Sequence, residues 1–217
     1  MALLALFQLI LLFYLCCACL ILALRWINPP ATAVQIQREV EALLAKKPYH
    51  KRHLYVPLSR IAPDLQYAVI AAEDGRFYVH HGFDWLELRK VMQADLAKHS
   101  IGRGASTITQ QLAKNLFLGT ERSMIKKGIE FTLVPMFELF LTKNRILELY
   151  LNEIEWGPGV FGAEAATEFW YRTPATRITR DQAARLAAII PNPLRRAPGR
   201  EDEYGEEIQE RMKRMGW

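Results

Sequence analysis

Apolar positions fall into distinct patterns along this chain, and each pattern predicts a different kind of element. The first is unbroken: from Met1 to Leu24 there is no Lys, Arg, Asp or Glu, and Gln8 is the most polar residue. A helix of that length is about 36 Å long, enough to cross a bilayer, so residues 2–24 read as a transmembrane anchor. A charged leading region and a small-residue cleavage site are both missing before Arg25, which argues against a cleaved signal peptide. The second pattern is helical spacing. Val34, Ile36, Val40, Leu43 and Leu44 predict an amphipathic helix over 33–46 that links anchor to domain. Pro63 in a first turn, with Leu65, Ala68, Val69 and Ala72 behind it, predicts a helix ended by Gly75 that carries Glu73 on its last turn.

Asp84 and Glu87 form a capping-box pattern for a helix with Trp85, Leu88, Met92 and Leu96 on one side and Arg89, Lys90 and Lys98 on the other, closed by Ser100-Ile101-Gly102. Thr107 with Gln110 predicts the next helix start. Ile108, Leu112, Asn115 and Leu116 form its mostly apolar face, and Thr107, Gln110, Gln111 and Lys114 fall at i, i+3, i+4 and i+7 on the polar one. Thr120 is placed to cap a long helix through Ile125, Ile129 and Leu133, in which Pro135 demands a kink or break. Arg122, Lys126 and Glu130 share one face of it. Further helices are expected at 143–152, 161–170 and 180–190, the last opened by Thr179 with Gln182 and stopped by Pro191 and Pro193. Strand alternation is almost absent, and 51–60 is too mixed to assign. The pattern therefore predicts a mainly α domain at 51–217, a juxtamembrane helix and linker at 25–50, and the anchor at 2–24.

About 190 residues follow the anchor, which suits one domain with a good core. Cys16, Cys17 and Cys19 all lie inside the anchor, so the domain needs no disulfide or Cys-metal site. The net charge is +5, and Lys98 to Glu130 holds +4 of it. A basic stretch beside a membrane anchor points to phosphate-bearing partners such as anionic lipid or a lipid pyrophosphate. Nucleic acid is disfavoured, since no fold motif for it occurs. Arg25, on the C-terminal side of the anchor, weakly favours a cytoplasmic domain.

Two polar clusters stand out. Glu73 and Asp74 follow the apolar run 68–72, where partial burial and a helix C-terminus both raise a Glu pKa toward the range of a general base. By composition alone such a pair is also an ordinary solvated helix end. His80 and His81 are adjacent and cannot share one metal as an i, i+4 pair does. Arg122, Lys126 and Glu130 are equally well a solvated face with a Lys–Glu i, i+4 pair. Ser123-Met124-Ile125-Lys126 matches the S-x-x-K nucleophile pattern of penicillin-binding transpeptidases, but the S-x-N and K-T-G elements that accompany it are missing, so the match is rejected.

Taken together, the motifs resemble the peptidoglycan glycosyltransferases, glycosyltransferase family 51, over roughly residues 55–200. Glu73 through Gly82 matches E-D-x-x-F-x-x-H-x-G at every fixed position, and Gly104 through Gln111 matches G-G-S-T-I-T-Q-Q except at Ala105. Lys126 through Glu130 resembles R-K-x-x-E with Lys for Arg. Arg145 through Asn152, Gly157 through Gly162, and Ala165-Ala166 complete the series. Tyr171 departs from a family glycine.

The resemblance implies a lysozyme-like fold with a small membrane-proximal lobe, in a monofunctional enzyme that polymerises lipid II with inversion into β-1,4-linked glycan and releases polyprenyl pyrophosphate. It implies Glu73 as catalytic base and Glu130 as a second carboxylate near the leaving group. Lys114 and Arg122 would contact pyrophosphate, with Lys126 and Lys127 as secondary cations. Ser106, Thr107, Gln110, Gln111 and Asn115 would line the cleft, and Asp74 and His80 would support its geometry. No cofactor is required by this chemistry, although a divalent ion, Mg or Mn, at Glu130 is compatible with it. The implied partners are lipid II, the growing glycan and the membrane, with other cell-wall synthesis or division proteins compatible. The implied location is the bacterial inner membrane with the domain in the periplasm, against the weak charge signal of Arg25. Two rival readings stay open: a lysozyme-like hydrolase using two carboxylates, and a non-catalytic protein that binds anionic lipid or glycan.

Overall fold

The computed structural model describes residues 1–98, 106–121, 123–200 and 202–217. Its helices are α1 (Ala2–Ala23), α2 (Ala33–Leu44), α3 (Pro63–Glu73), α4 (Trp85–Lys98), α5 (Ile108–Phe117), α6 (Met124–Phe140), α7 (Lys143–Glu153), α8 (Ala163–Tyr171), α9 (Arg180–Ala187) and α10 (Asp202–Arg214). Three short strands, β1 (Arg52–His53), β2 (Glu155–Gly157) and β3 (Val160–Phe161), form a sheet of order β1-β3-β2. β1 runs parallel to β3 with Arg52 opposite Val160. β2 is antiparallel to β3, with a bulge between Glu155 and Gly157. The expected mainly helical architecture is what the chain adopts.

Helix α3 is apolar almost all round, so it belongs inside the molecule. Leu65, Ala68, Val69, Ile70, Ala71 and Ala72 are all buried, with α9 and α10 packed against them. Helix α5 packs between α6 and α7 and touches α2. Glu73 therefore leaves the core at the end of a rigid buried helix, which is what a precisely held side chain needs.

Helix α1 is long and apolar enough to cross a membrane from Leu3 to Ala23. Its first half is exposed, but Cys17, Ile21 and Leu24 are buried, α1 packs on α6, and the Tyr14 hydroxyl meets the Thr132 hydroxyl at 2.7 Å. Arg145 closes its end. The guanidinium donates to the Leu24 carbonyl at 2.7 Å, the Ile27 carbonyl at 3.1 Å and Asn28 Oδ1 at 2.8 Å.

Several expected helix starts are present with their capping chemistry. Thr107 with Gln110, and Thr179 with Gln182, each form a reciprocal capping box. Asp84 Oδ1 accepts from the Glu87 and Leu86 amides at 2.9 and 3.1 Å. One expectation fails. Thr120 does not cap α6, which begins at Met124 behind Ser123, because the Thr120 amide and hydroxyl are both taken by Gln37. Of the kink or break expected at Pro135, the break does not occur, and α6 runs on to Phe140. Pro135 removes one backbone donor, but Leu133, Val134 and Phe137 around it are fully buried, and that packing outweighs the lost bond.

The three strands and α10 went unpredicted. β1 is too short for alternation to show. In α10 only Gly205, Ile208 and Met212 are buried, which leaves too few apolar positions for a periodic signal.

Candidate active site

The framework of the site is the buried pair Asp74 and His80. His80 Nε2 lies 2.8 and 3.0 Å from the two oxygens of Asp74, and Asp74 Oδ2 also accepts from the Ile108 amide at 3.0 Å. A carboxylate at the first amide of α5 is favoured by the helix dipole, so this bond ties the end of α3 to the start of α5. Thr107 adds a second tie. Its hydroxyl accepts from the Gln110 amide at 3.2 Å and donates to the Gly82 carbonyl at 2.6 Å. Gly82 has φ +88°, and a Cβ there would lie 2.4 Å from Val134 Cγ1, so only glycine fits. The pattern E-D-x-x-F-x-x-H-x-G thus encodes a turn that registers α3, α5 and α6.

On that framework Glu73 stands half-buried. Gln111 Nε2 donates to Glu73 Oε2 at 2.7 Å, while Gln111 Oε1 accepts from the fully buried Tyr150 hydroxyl at 2.8 Å. Burial, and then the carboxylates Glu73 and Asp74, hold the Tyr150 phenol well above its usual range, so it remains a donor. The phenol fixes which end of the Gln111 amide faces Glu73.

Glu73 borders two openings. The first is a cleft of about 780 Å³ lined by Glu73, Ser106, Gln110, Gln111, Lys114, Asn115, Ser123, Lys126, Lys127 and Glu130, together with Val34 and Arg38 from α2, Glu155 and the segment 190–194. The second, of about 580 Å³, is lined by Glu73, Asp74, Arg76, Ser106, Thr107, Arg211, Arg214 and Met215 among others. Glu73 and Ser106 belong to both. Glu130 is buried and holds the Lys127 ammonium at 2.5 Å and Gln110 Nε2 at 3.3 Å, both through Oε1. Asn115 Nδ2 donates to the Gln111 carbonyl at 2.8 Å.

The cleft thus collects Glu73, Ser106, Gln110, Gln111, Lys114, Asn115, Lys126, Lys127 and Glu130, while Asp74, His80 and Thr107 stand behind or beside it. Arg122 and Ala105 lie outside the described residues. One pairing differs from expectation. Glu130 meets Lys127 at i, i+3 rather than Lys126 at i, i+4, and Lys126 turns to Glu121 at 2.8 Å.

Three contributors were missed in the sequence. Arg38, bonded to the buried Glu155 at 2.9 Å, comes from the helix expected to be a link to the anchor. Tyr150 sits inside a recognised motif, yet only the fold shows that its hydroxyl faces Gln111. Glu155 gave no signal. Burial pushes its carboxyl up against the pull of Arg38.

Among the described residues, the one group of three possible metal ligands is Asp74, His80 and Asp84. Asp74 bonds His80 Nε2 and the Ile108 amide, and Asp84 Oδ1 bonds Arg76 and two α4 amides, while His80 Nδ1 is buried without a hydrogen-bond partner among the described residues.

A membrane-helix chain whose buried-helix carboxylate stands between two clefts, one of them rich in lysine, has the outline of a glycan-transferring enzyme. The chain belongs to the transglycosylase family, whose sequence model matches residues 39–216. It is 45% identical over 188 residues to a protein of Pseudomonas putida (strain W619) named biosynthetic peptidoglycan transglycosylase, covering 85% of this chain and 78% of the relative. Proteins of the same name from Ectopseudomonas mendocina and Laribacter hongkongensis are 43% and 44% identical, covering 92% and 78% of this chain and 84% and 74% of theirs.

Proposed function

We propose that this cleft polymerises lipid II into β-1,4-linked glycan strands for the bacterial cell wall, with inversion at the anomeric carbon and release of polyprenyl pyrophosphate. The observation that carries this reading is the place of Glu73, on the wall shared by a lysine-lined cleft and a second opening. A transfer between two large substrates needs a base where both meet, and positive charge where the pyrophosphate departs.

In this reading Glu73 takes the proton from the acceptor 4-hydroxyl, and Gln111 holds the carboxylate in place. Lys114, Lys126 and Lys127, with Arg122 by its position in sequence, balance the charge that grows on the leaving oxygen. Glu130 orients Lys127. No cofactor is required, since the lysines supply the charge. A divalent ion, Mg or Mn, would compete with the Lys127 ammonium for Glu130. Both substrates stay in the bilayer, so the anchor concentrates enzyme where they are. Trp85, Leu86, Leu88 and Met92 of α4 are exposed apolar groups that suit the membrane interface. The location that follows is the inner membrane with the domain outside the cytoplasm.

The test is purified full-length protein with labelled lipid II and gel analysis of polymer. Glu73→Gln keeps size and hydrogen bonding but removes the base, so polymerisation should fall by about two orders of magnitude or more while lipid II binding survives. Near wild-type polymerisation by that variant would sink the assignment of the base. Short soluble sugar products in place of polymer would favour a hydrolase.

A further inference from the structure

Helix α2 meets α7 through a polar pair that is one donor short. Gln35 and Glu153 are both fully buried, and Gln35 Nε2 donates to Glu153 Oε2 at 3.1 Å. The second oxygen of each group, Gln35 Oε1 and Glu153 Oε1, is also buried and has no hydrogen-bond partner among the described residues. An ionised carboxylate can only accept, so it would leave both oxygens unsatisfied. A protonated one carries an O–H, and a carboxyl and a carboxamide are complementary planar groups that close two bonds at once.

We propose that Glu153 is a positioning residue that works in its neutral form, donating its proton to Gln35 Oε1 and so locking α2 against the active-site cleft. Among the described residues the surroundings offer no full counter-charge. His53 Nε2 lies 3.7 Å from Glu153 Oε2, but it is 3.1 Å from the Asn152 carbonyl, and burial lowers its pKa, so it is a neutral donor to that carbonyl. Lys51 pairs with Glu39, and Arg145 with Glu148 and the end of α1. Tyr55 donates to Glu148. Burial accordingly pushes the Glu153 carboxyl up to about 8, against the opposing pull of Gln35, Arg145 and Lys51.

The lock matters because of what α2 carries. Val34 and Arg38 line the cleft, and Gln37 binds both the amide and the hydroxyl of Thr120 at 2.8 Å, in the loop that forms another part of the cleft wall. Gln35 precedes residues 39–216, so the lock joins a residue outside the family match to one within it. When α2 is released the carboxyl titrates near its ordinary 4.5, so seating is strongest in acid and weakens as pH rises toward about 8. Between pH 7 and 9 the released state should gain about tenfold on the seated one, most of it before pH 8.

Hydrogen exchange of residues 33–44 in the full chain, corrected for intrinsic rates, reads this directly. The wild type should show that tenfold rise in opening, and Glu153→Gln, which offers an N–H at every pH, should show none while staying seated at pH 7. Retention of the wild-type pH dependence by Glu153→Gln, or a looser α2 at pH 7, would overturn the lock. Its effect on turnover rests on the proposed polymerase reading. There kcat/KM of the wild type should fall relative to Glu153→Gln as pH rises. Exchange that follows the prediction while turnover does not overturns the coupling to the cleft. A wild type that binds but never polymerises lipid II overturns the substrate reading and leaves the lock standing.

Discussion

At the scale of single residues, Glu73 owes its placement to a relay of hydrogen bonds from Tyr150 through Gln111. The sequence placed Glu73 on the last turn of a helix and Gln111 on a polar stripe, and both are so. It offered no way to know that a tyrosine 39 residues beyond Gln111 would orient its amide, because that contact depends on how α5 and α7 pack. Tyr150→Phe leaves Gln111 Oε1 without its donor and lets the amide turn from Glu73. Polymerisation kcat should fall about two- to tenfold, the worth of one ordinary hydrogen bond, with little change in KM. A kcat equal to wild type would mean that Gln111 holds Glu73 unaided. The exchange of Lys126 for Lys127 at Glu130 is likewise a matter of tertiary structure, since a helical wheel places both within reach and Lys126 is taken by Glu121.

At the scale of elements, α7 turns a recognised motif into a clasp. Glu148 accepts from the Leu58 amide at 2.7 Å and the Tyr55 hydroxyl at 3.0 Å. Asn152, fully buried, accepts from the Val56 amide and donates to the Val56 carbonyl, each at 2.9 Å. Arg145 reaches the end of α1. Residues 145, 148 and 152 lie on one side of α7, so a single helix face secures the anchor and the irregular chain before α3. That chain looked unassignable in sequence because its backbone partners are side chains of α7 rather than a regular ladder. Asn152→Ala strips partners from two Val56 backbone groups and should cost about 3 kcal/mol. In thermal unfolding of the detergent-solubilised protein this should appear as a Tm lower by about 6–12 °C. A shift within about 2 °C would show that water replaces the lost side chain.

At the scale of the whole molecule, anchor and domain form one body. Tyr14, Cys17 and Ile21 of α1 rest on the domain, so the face of α6 beside them and the exposed apolar side of α4 belong near the lipid. The lipid-linked substrates proposed above would then reach the cleft without leaving the bilayer. Long domains cross membranes largely regardless of flanking charge, so Arg25 does not oppose the proposed placement outside the cytoplasm. An export-dependent reporter fused after residue 217 should be active, and a reporter that needs the cytoplasm should be silent. The reverse result would end the periplasmic assignment.

What the sequence determined by itself were features that repeat locally or are carried by consecutive residues: the apolar span, the helix starts at Thr107 and Thr179, and the run from Glu73 to Gly82. Such features depend on contacts within a few residues of one another, so the order of residues is enough to specify them. The tertiary structure alone decided which polar groups meet across the core: Tyr150 with Gln111, Lys127 with Glu130, Gln37 with Thr120 and Gln35 with Glu153. Buried polar groups must find partners, but the partner is chosen by the packing of whole helices, and neither periodicity nor capping records that choice.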